Sequence, residues 1–179
     1  MRKELVLSGY GGQGLLMAGG LLGEAATIYE GVNATNNQTY GVTARGGESR
    51  SEVIISDEDI NYAEIEHPDV LLAMSQSALN KFGPSIKDNA LVIIDTMFVN
   101  DVSCVKNSAN IYRFPITQIA NEQAKKTILA NVVALGIISA LTGLVSKESL
   151  EKVILKRAPA GTEELNLKAL NGGYLAAKL

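Results

Sequence analysis

The chain has 179 residues, 46% hydrophobic and 20% charged, with a formal net charge of -3. That length and apolar content specify one compact domain with a sizeable core and exclude a disordered chain. With 16 basic against 19 acidic residues, no field exists to hold a polyanion, so nucleic acid is not an expected partner. The one cysteine, Cys104, cannot form an internal disulfide, nor by itself ligate an iron–sulfur cluster or a cysteine-rich zinc site. The expected compartment is the cytoplasm. The one histidine, His67, precedes Pro68 in an expected loop, which leaves no self-contained Ser-His-Asp or histidine–metal constellation. No catalytic residue and no metal ligand is therefore assigned.

The amino terminus has only the apolar run Leu5-Val6-Leu7 before Ser8 and Gly9, too short for the apolar stretch of about 7–15 residues in a secretory signal. Residues 4–8 form a buried strand, rich in branched side chains. A glycine-rich turn follows, Gly9 to Gly14. From there Leu15, Leu16, Leu22, Ala25, Ala26 and Tyr29 recur at helical spacing, with Gly31 as the stop. Residues 32–36 make a second strand, 38–48 a polar loop and 51–56 a third strand. Continuous apolar runs at 69–75 and 90–95 predict central strands of a parallel sheet. A short helix over 76–82, closed by Gly83-Pro84, separates them. A strand at 111–115 precedes helices over about 117–125, 128–144 and 147–156.

The segment 128–144 has no charged side chain, yet Asn131, Ser139, Thr142, Gly136 and Gly143 dilute it and no aromatic residue flanks it. It predicts a helix buried on most sides rather than a membrane span. Ala158-Pro159-Ala160-Gly161 ends the last long helix, and residues 163–179 have their own helical period. The fold class is α/β: a Rossmann-like, mostly parallel sheet with helices on both faces and additional C-terminal helices. One domain over 1–157 and a tail over 158–179, docked on the domain or on a partner, are expected.

Gly9-Tyr10-Gly11-Gly12-Gln13-Gly14 satisfies G-x-G-x-x-G between a strand and a helix. Glycines there permit a sharp turn and close approach of a ligand or a second loop, and free N–H groups at a helix start favour an anion. The segment does not continue as an NAD site, because residues 36 and 37 are Asn where an acidic residue would bind ribose, and the Lys-Ser/Thr ending of a P-loop is missing. An anion role and a turn that binds no ligand both stay open. A second loop, Thr39 to Arg50, combines Tyr40, Gly41, Arg45, Gly46 and Gly47. An arginine beside two glycines can present its guanidinium fork to a carboxylate or phosphate, or can be an ordinary surface arginine.

Together the two loops resemble the gamma-subunit domain of 2-oxoacid:ferredoxin oxidoreductases. The likeness continues through Ser51 to Asp57, Leu91 to Asp95, Pro115, Ala130-Asn131 and Leu135-Gly136. Where that family often reads Tyr-Gly-Pro-Glu-Ala/Ser-Arg-Gly-Gly, this chain has Val42 and Thr43 in place of proline and glutamate. The resemblance implies a subunit, inactive alone, of an enzyme that oxidatively decarboxylates 2-oxoglutarate or a related 2-oxoacid, transfers the acyl group to coenzyme A and reduces ferredoxin. It implies thiamine diphosphate, magnesium and 4Fe-4S clusters on partner alpha and beta subunits, with or without a delta subunit, and none on this chain. It places Gly9, Gly11, Gly12, Gln13 and Gly14 at an anion or interface loop, and Tyr40, Gly41, Arg45, Gly46, Gly47 and Asn131 at a substrate or subunit contact. Self-association of the isolated chain is allowed. The alternatives are the small subunit of an indolepyruvate oxidoreductase, a free-standing nucleotide-binding or regulatory module, and a purely structural interaction protein.

Overall fold

Leu5, Val6 and Leu7 lie in the middle of β1 (Arg2–Tyr10), with Leu5 and Leu7 buried on one face of the sheet and Val6 on the other. The computed structural model describes residues 1–41 and 47–178. After β1 come α1 (Leu15–Tyr29), β2 (Asn33–Tyr40), β3 (Glu48–Ser56), β4 (Val70–Ala73), α2 (Gln76–Phe82), β5 (Leu91–Asp95) and β6 (Asn110–Phe114). The chain closes with α3 (Ile116–Ala124), α4 (Ala130–Thr142), α5 (Lys147–Arg157) and α6 (Glu163–Ala176). No helix among the described residues is long and apolar enough to cross a membrane.

Among the described residues, six strands run in the order β2-β3-β1-β4-β5-β6. β1, β4, β5 and β6 are parallel, whereas β3 pairs antiparallel with both β1 and β2. The sheet is α/β as expected, with a parallel half and an antiparallel edge. The edge has a physical cause: the segment between Tyr40 and Glu48 is too short for the crossover of a dozen or more residues that a parallel pair requires. β2 and β3 also extend into what the sequence reads as loop, with Tyr40 paired to Ser49.

Helices α1, α3, α4, α5 and α6 cover the face carrying Leu5, Leu7, Val53, Ile55, Leu72 and Ile93. The other face, with Val6, Leu71, Ala73, Val92 and Ile94, is covered by α2 and the segments around Ile86, Val99 and Val105. The helix expected over 128–144 begins instead with a 3₁₀ turn at Thr127–Leu129 and becomes α-helical at Ala130. Every residue from Ala130 to Ser139 is buried, while Ile128 is 58% exposed. α4 stops at Gly143, which takes the left-handed conformation (φ 62°) that favours glycine. Helix α6 lies close against α4: a Cβ placed on Gly136 would fall 2.1 Å from the Leu170 carbonyl oxygen, and one on Gly173 only 1.9 Å from that of Val133.

Candidate functional site

The glycine turn connects β1 to α1 at the carboxyl ends of the parallel strands. Gln13 holds it from within. Its Oε1 accepts from the Tyr10 N–H at 2.7 Å and its Nε2 donates to the Met74 carbonyl at 2.9 Å, tying the turn to the end of β4. Gly9 makes room for this amide, since a Cβ there would meet Gln13 Oε1 at 2.1 Å. Gly12 and Gly14 have φ of 92° and 74°, a region costly for residues with a side chain. Gly14 precedes α1, whose first turn carries no side-chain cap, so the helix dipole and its free N–H groups favour negative charge there. Asn131, at the start of α4, reaches this point from far along the chain. Its Nδ2 donates to the Gly14 carbonyl at 3.1 Å, while its Oδ1 accepts from the Val132 N–H at 2.9 Å.

The described ends of the second loop meet the first. The Gly11 N–H donates to the Gly47 carbonyl at 2.7 Å, and the Gly41 N–H donates to the Glu48 carbonyl at 2.7 Å. Tyr40 stands 72% exposed beside them. The fold thus brings Gly9, Gly11, Gly12, Gln13, Gly14, Tyr40, Gly41, Gly47 and Asn131 to one end of the sheet. Arg45 and Gly46 lie outside the described residues.

Asp95, which ends β5, is fully buried here. Its Oδ2 accepts from both the Thr117 N–H (3.0 Å) and hydroxyl (2.5 Å), and its Oδ1 accepts from the Met97 N–H (3.1 Å). It supplies the amino-terminal contact that Pro115 cannot give α3, and it fixes the turn carrying Phe98. Thr117 and Phe98 wall a cleft of about 190 Å³ with Gly12, Gln13 and Ile128. A second cleft of about 300 Å³, mostly apolar, opens on the other side of the turn between Gly14, Met17, Asn131 and Leu165. The sequence reading missed Asp95, Thr117, Phe98, Met17 and Ile128 as site residues. The acid terminating the apolar run Leu91-Val92-Ile93-Ile94 was a usable signal, whereas Met17, Phe98 and Ile128 come from separate elements and share no spacing.

Cys104 is half-buried on the face covered by α2, and burial pushes its thiol above the ordinary cysteine value, against nucleophilic use. Among the described residues, no group of three His, Cys, Asp or Glu side chains is arranged to hold a metal ion. One cysteine does not fit an iron–sulfur cluster, and the carboxylate described beside the glycine turn, that of Glu48 opposite Tyr10, is held by the Lys81 ammonium. What this end of the sheet offers is backbone N–H groups, a positive helix end and apolar walls, which suit binding and positioning more than proton transfer.

The pyruvate ferredoxin/flavodoxin oxidoreductase family matches residues 4–176. The 2-oxoglutarate synthase subunit KorC of Methanocaldococcus jannaschii is 47% identical over 178 residues, which cover 99% of this chain and 95% of that protein. The ketoisovalerate oxidoreductase subunit VorA of Methanothermobacter thermautotrophicus is 33% identical over 172 residues, or 93% of this chain but 35% of that longer protein. Among solved structures, the gamma subunit of a keto/oxoacid ferredoxin oxidoreductase from Geobacter sulfurreducens superposes with a TM-score of 0.87 at 40% identity, covering 99% of this chain and 97% of that one. The chain belongs to the pyruvate ferredoxin/flavodoxin oxidoreductase family, and it matches a gamma subunit of that chemistry along nearly its whole length.

Proposed function

We propose that this chain is the gamma subunit of a multi-subunit 2-oxoglutarate:ferredoxin oxidoreductase. The complex oxidatively decarboxylates 2-oxoglutarate, joins the acyl group to coenzyme A and passes the electrons to ferredoxin. Thiamine diphosphate, magnesium and the iron–sulfur clusters reside on the partner subunits, and this chain supplies binding surface and positioning. The observation that carries the reading is the 47% identity to a 2-oxoglutarate synthase subunit over nearly the full length of both chains. The site supports it chemically. A glycine turn with an uncapped helix start can accept a coenzyme A phosphate or a substrate carboxylate, and none of its residues is a candidate acid, base or nucleophile.

The test is reconstitution by omission. The sister subunits are assembled with and without this chain, and viologen reduction is followed with 2-oxoglutarate, pyruvate, 2-oxoisovalerate and indolepyruvate in the presence of coenzyme A. Activity that requires this chain and is greatest in kcat/KM with 2-oxoglutarate is the expected result. Full activity without the chain contradicts the role, and preference for another 2-oxoacid contradicts the substrate.

A further inference from the structure

At the end of the sheet opposite the glycine turn, a cavity of about 350 Å³ opens between the starts of β1, β4 and β5 and the carboxyl end of α4. Its apolar lining includes Leu91, Leu141 and Leu144, each only partly buried. Its polar lining is unbalanced. Both oxygens of the Asp69 carboxylate already accept bonds, Oδ1 from Lys3 Nζ at 3.3 Å and Oδ2 from Lys87 Nζ at 2.8 Å. The neighbouring Glu4 carboxylate is filled as well, by Lys87 Nζ at 3.0 Å and Arg2 Nε at 2.9 Å. Asp88, the other acid in the lining, accepts from the Ser108 hydroxyl at 2.9 Å and faces Lys106 at 4.0 Å. At the end of α4, the carbonyls of Ile138 and Ser139 accept from the Thr142 hydroxyl at 2.7 Å and the Gly143 N–H at 2.9 Å, which blunts the negative helix end. An ammonium carries three N–H donors, and among the described residues Lys3 spends one and Lys87 two. Burial pushes Lys87 down, but its bonds to Asp69 and Glu4 and their charges hold it above the ordinary lysine value, so it stays ionised at neutral pH. The unspent groups are donors on cations, beside apolar surface.

We propose that this cavity binds a small monocarboxylate with an apolar body. The carboxylate takes the spare N–H donors of Lys3 and Lys87, and the body covers Leu91, Leu141 and Leu144. The volume lies at the small end of the range for ligand sites, roughly 300–1,000 Å³. An inorganic anion would leave the leucines wet. A dicarboxylate would set its second charge against those leucines or against Asp88, so 2-oxoglutarate itself fits poorly. The site is separate from the glycine turn, and its assignment holds whichever 2-oxoacid the complex oxidises.

The test follows backbone amide chemical shifts of the full chain during titration with isocaproate, a probe that has both parts. Saturable shifts are expected at residues 69–70, 87–91 and 141–144 and not at residues 9–14, with a Kd on the order of 1 mM. Three further probes each change one part. Isocaproamide keeps the body and lacks the charge, acetate keeps the charge and lacks the body, and 2-oxoglutarate adds a second carboxylate. Each is expected to bind roughly tenfold more weakly or worse. Lys3→Gln removes one cation at a half-exposed side chain, and it is expected to weaken isocaproate about fivefold while leaving isocaproamide unchanged. The probe series on the wild type needs no variant and stands if Lys3→Gln fails to fold. Shifts confined to the glycine turn, or no saturable shift at the cavity residues, overturn the proposal. Equal binding of isocaproate and isocaproamide shows that no anion is recognised and overturns it as well.

Discussion

At the scale of single residues, the contact between Gly14 and Asn131 decides how the turn sits on the rest of the molecule. A Cβ at Gly14 would lie 2.6 Å from Asn131 Nδ2, on a backbone already at φ 74°. Gly14→Ala therefore combines left-handed strain of about 1–2 kcal/mol with a steric cost of about 1–3 kcal/mol. Asn131→Ala removes the steric partner and one of the two donors to the Gly14 carbonyl, the Ala18 N–H remaining at 3.0 Å, a loss of about 0.5–1.5 kcal/mol. The double variant is expected to lose less stability in urea unfolding than the sum of the two single variants, because the clash vanishes with the Asn131 side chain. Strict additivity would show that the two residues do not touch. The glycines of this turn were legible in the sequence because their spacing is local. Their pairing with Asn131 was not, since a contact spanning 117 positions leaves no periodic trace.

Among elements, the α4–α6 contact depends on two glycines that face backbone, not side chains. Gly136→Ala and Gly173→Ala each push a methyl group into a carbonyl of the facing helix, and each is expected to lose about 2–3 kcal/mol or fail to fold. Gly172→Ala meets the flexible side chain of Gln123 instead, and it gains about 1 kcal/mol of helix propensity, so it is expected to stay within about 1 kcal/mol of wild type. Thermal unfolding of the three variants checks this contrast, and equal effects at all three positions would contradict it.

A second inter-element joint lies at the opposite end of the sheet. There Asp69, just before β4, accepts from the Glu4 N–H at 3.0 Å and from Lys87 Nζ at 2.8 Å, with Lys3 Nζ at 3.3 Å. Burial pushes the Asp69 carboxyl up, but the bonds from Lys87 and Glu4 and the charges of Lys87 and Lys3 together hold it below the ordinary value. A lowered carboxyl contributes stability that is complete above its unfolded value of about 3.9 and is lost as pH falls through the lower folded value. Urea midpoints of the wild type are therefore expected to fall steeply below about pH 4, and those of Asp69→Asn to fall less. Parallel acid limbs for the two proteins would show that this joint contributes nothing.

For the whole molecule, the α/β class was readable because strands and helices alternate with glycine- and proline-marked turns, and the runs at β4 and β5 are apolar on both faces. The antiparallel edge was harder to see. Strand β2, Asn33-Ala34-Thr35-Asn36-Asn37-Gln38-Thr39-Tyr40, is polar and largely exposed, so no hydrophobic pattern marks its length, and only the short return to β3 forces its direction. The site was legible as loops and illegible as a surface, because Met17, Phe98, Thr117 and Ile128, which wall the two clefts beside the glycine turn, come from separate segments. With one cysteine, the isolated chain is expected to be colourless and, under the proposed role, to decarboxylate no 2-oxoacid. Ultraviolet–visible spectra and carbon dioxide release measure both properties, and an iron–sulfur band intrinsic to this chain would contradict the division of labour.

Native mass spectrometry of the complex recovered on an affinity tag attached to this chain in its own cells, combined with iron and thiamine analysis, tests the subunit role most directly. One defined assembly is expected, with this chain at fixed stoichiometry beside larger subunits that carry all of the iron and thiamine diphosphate. Recovery of the chain alone, or only with copies of itself, would contradict that role.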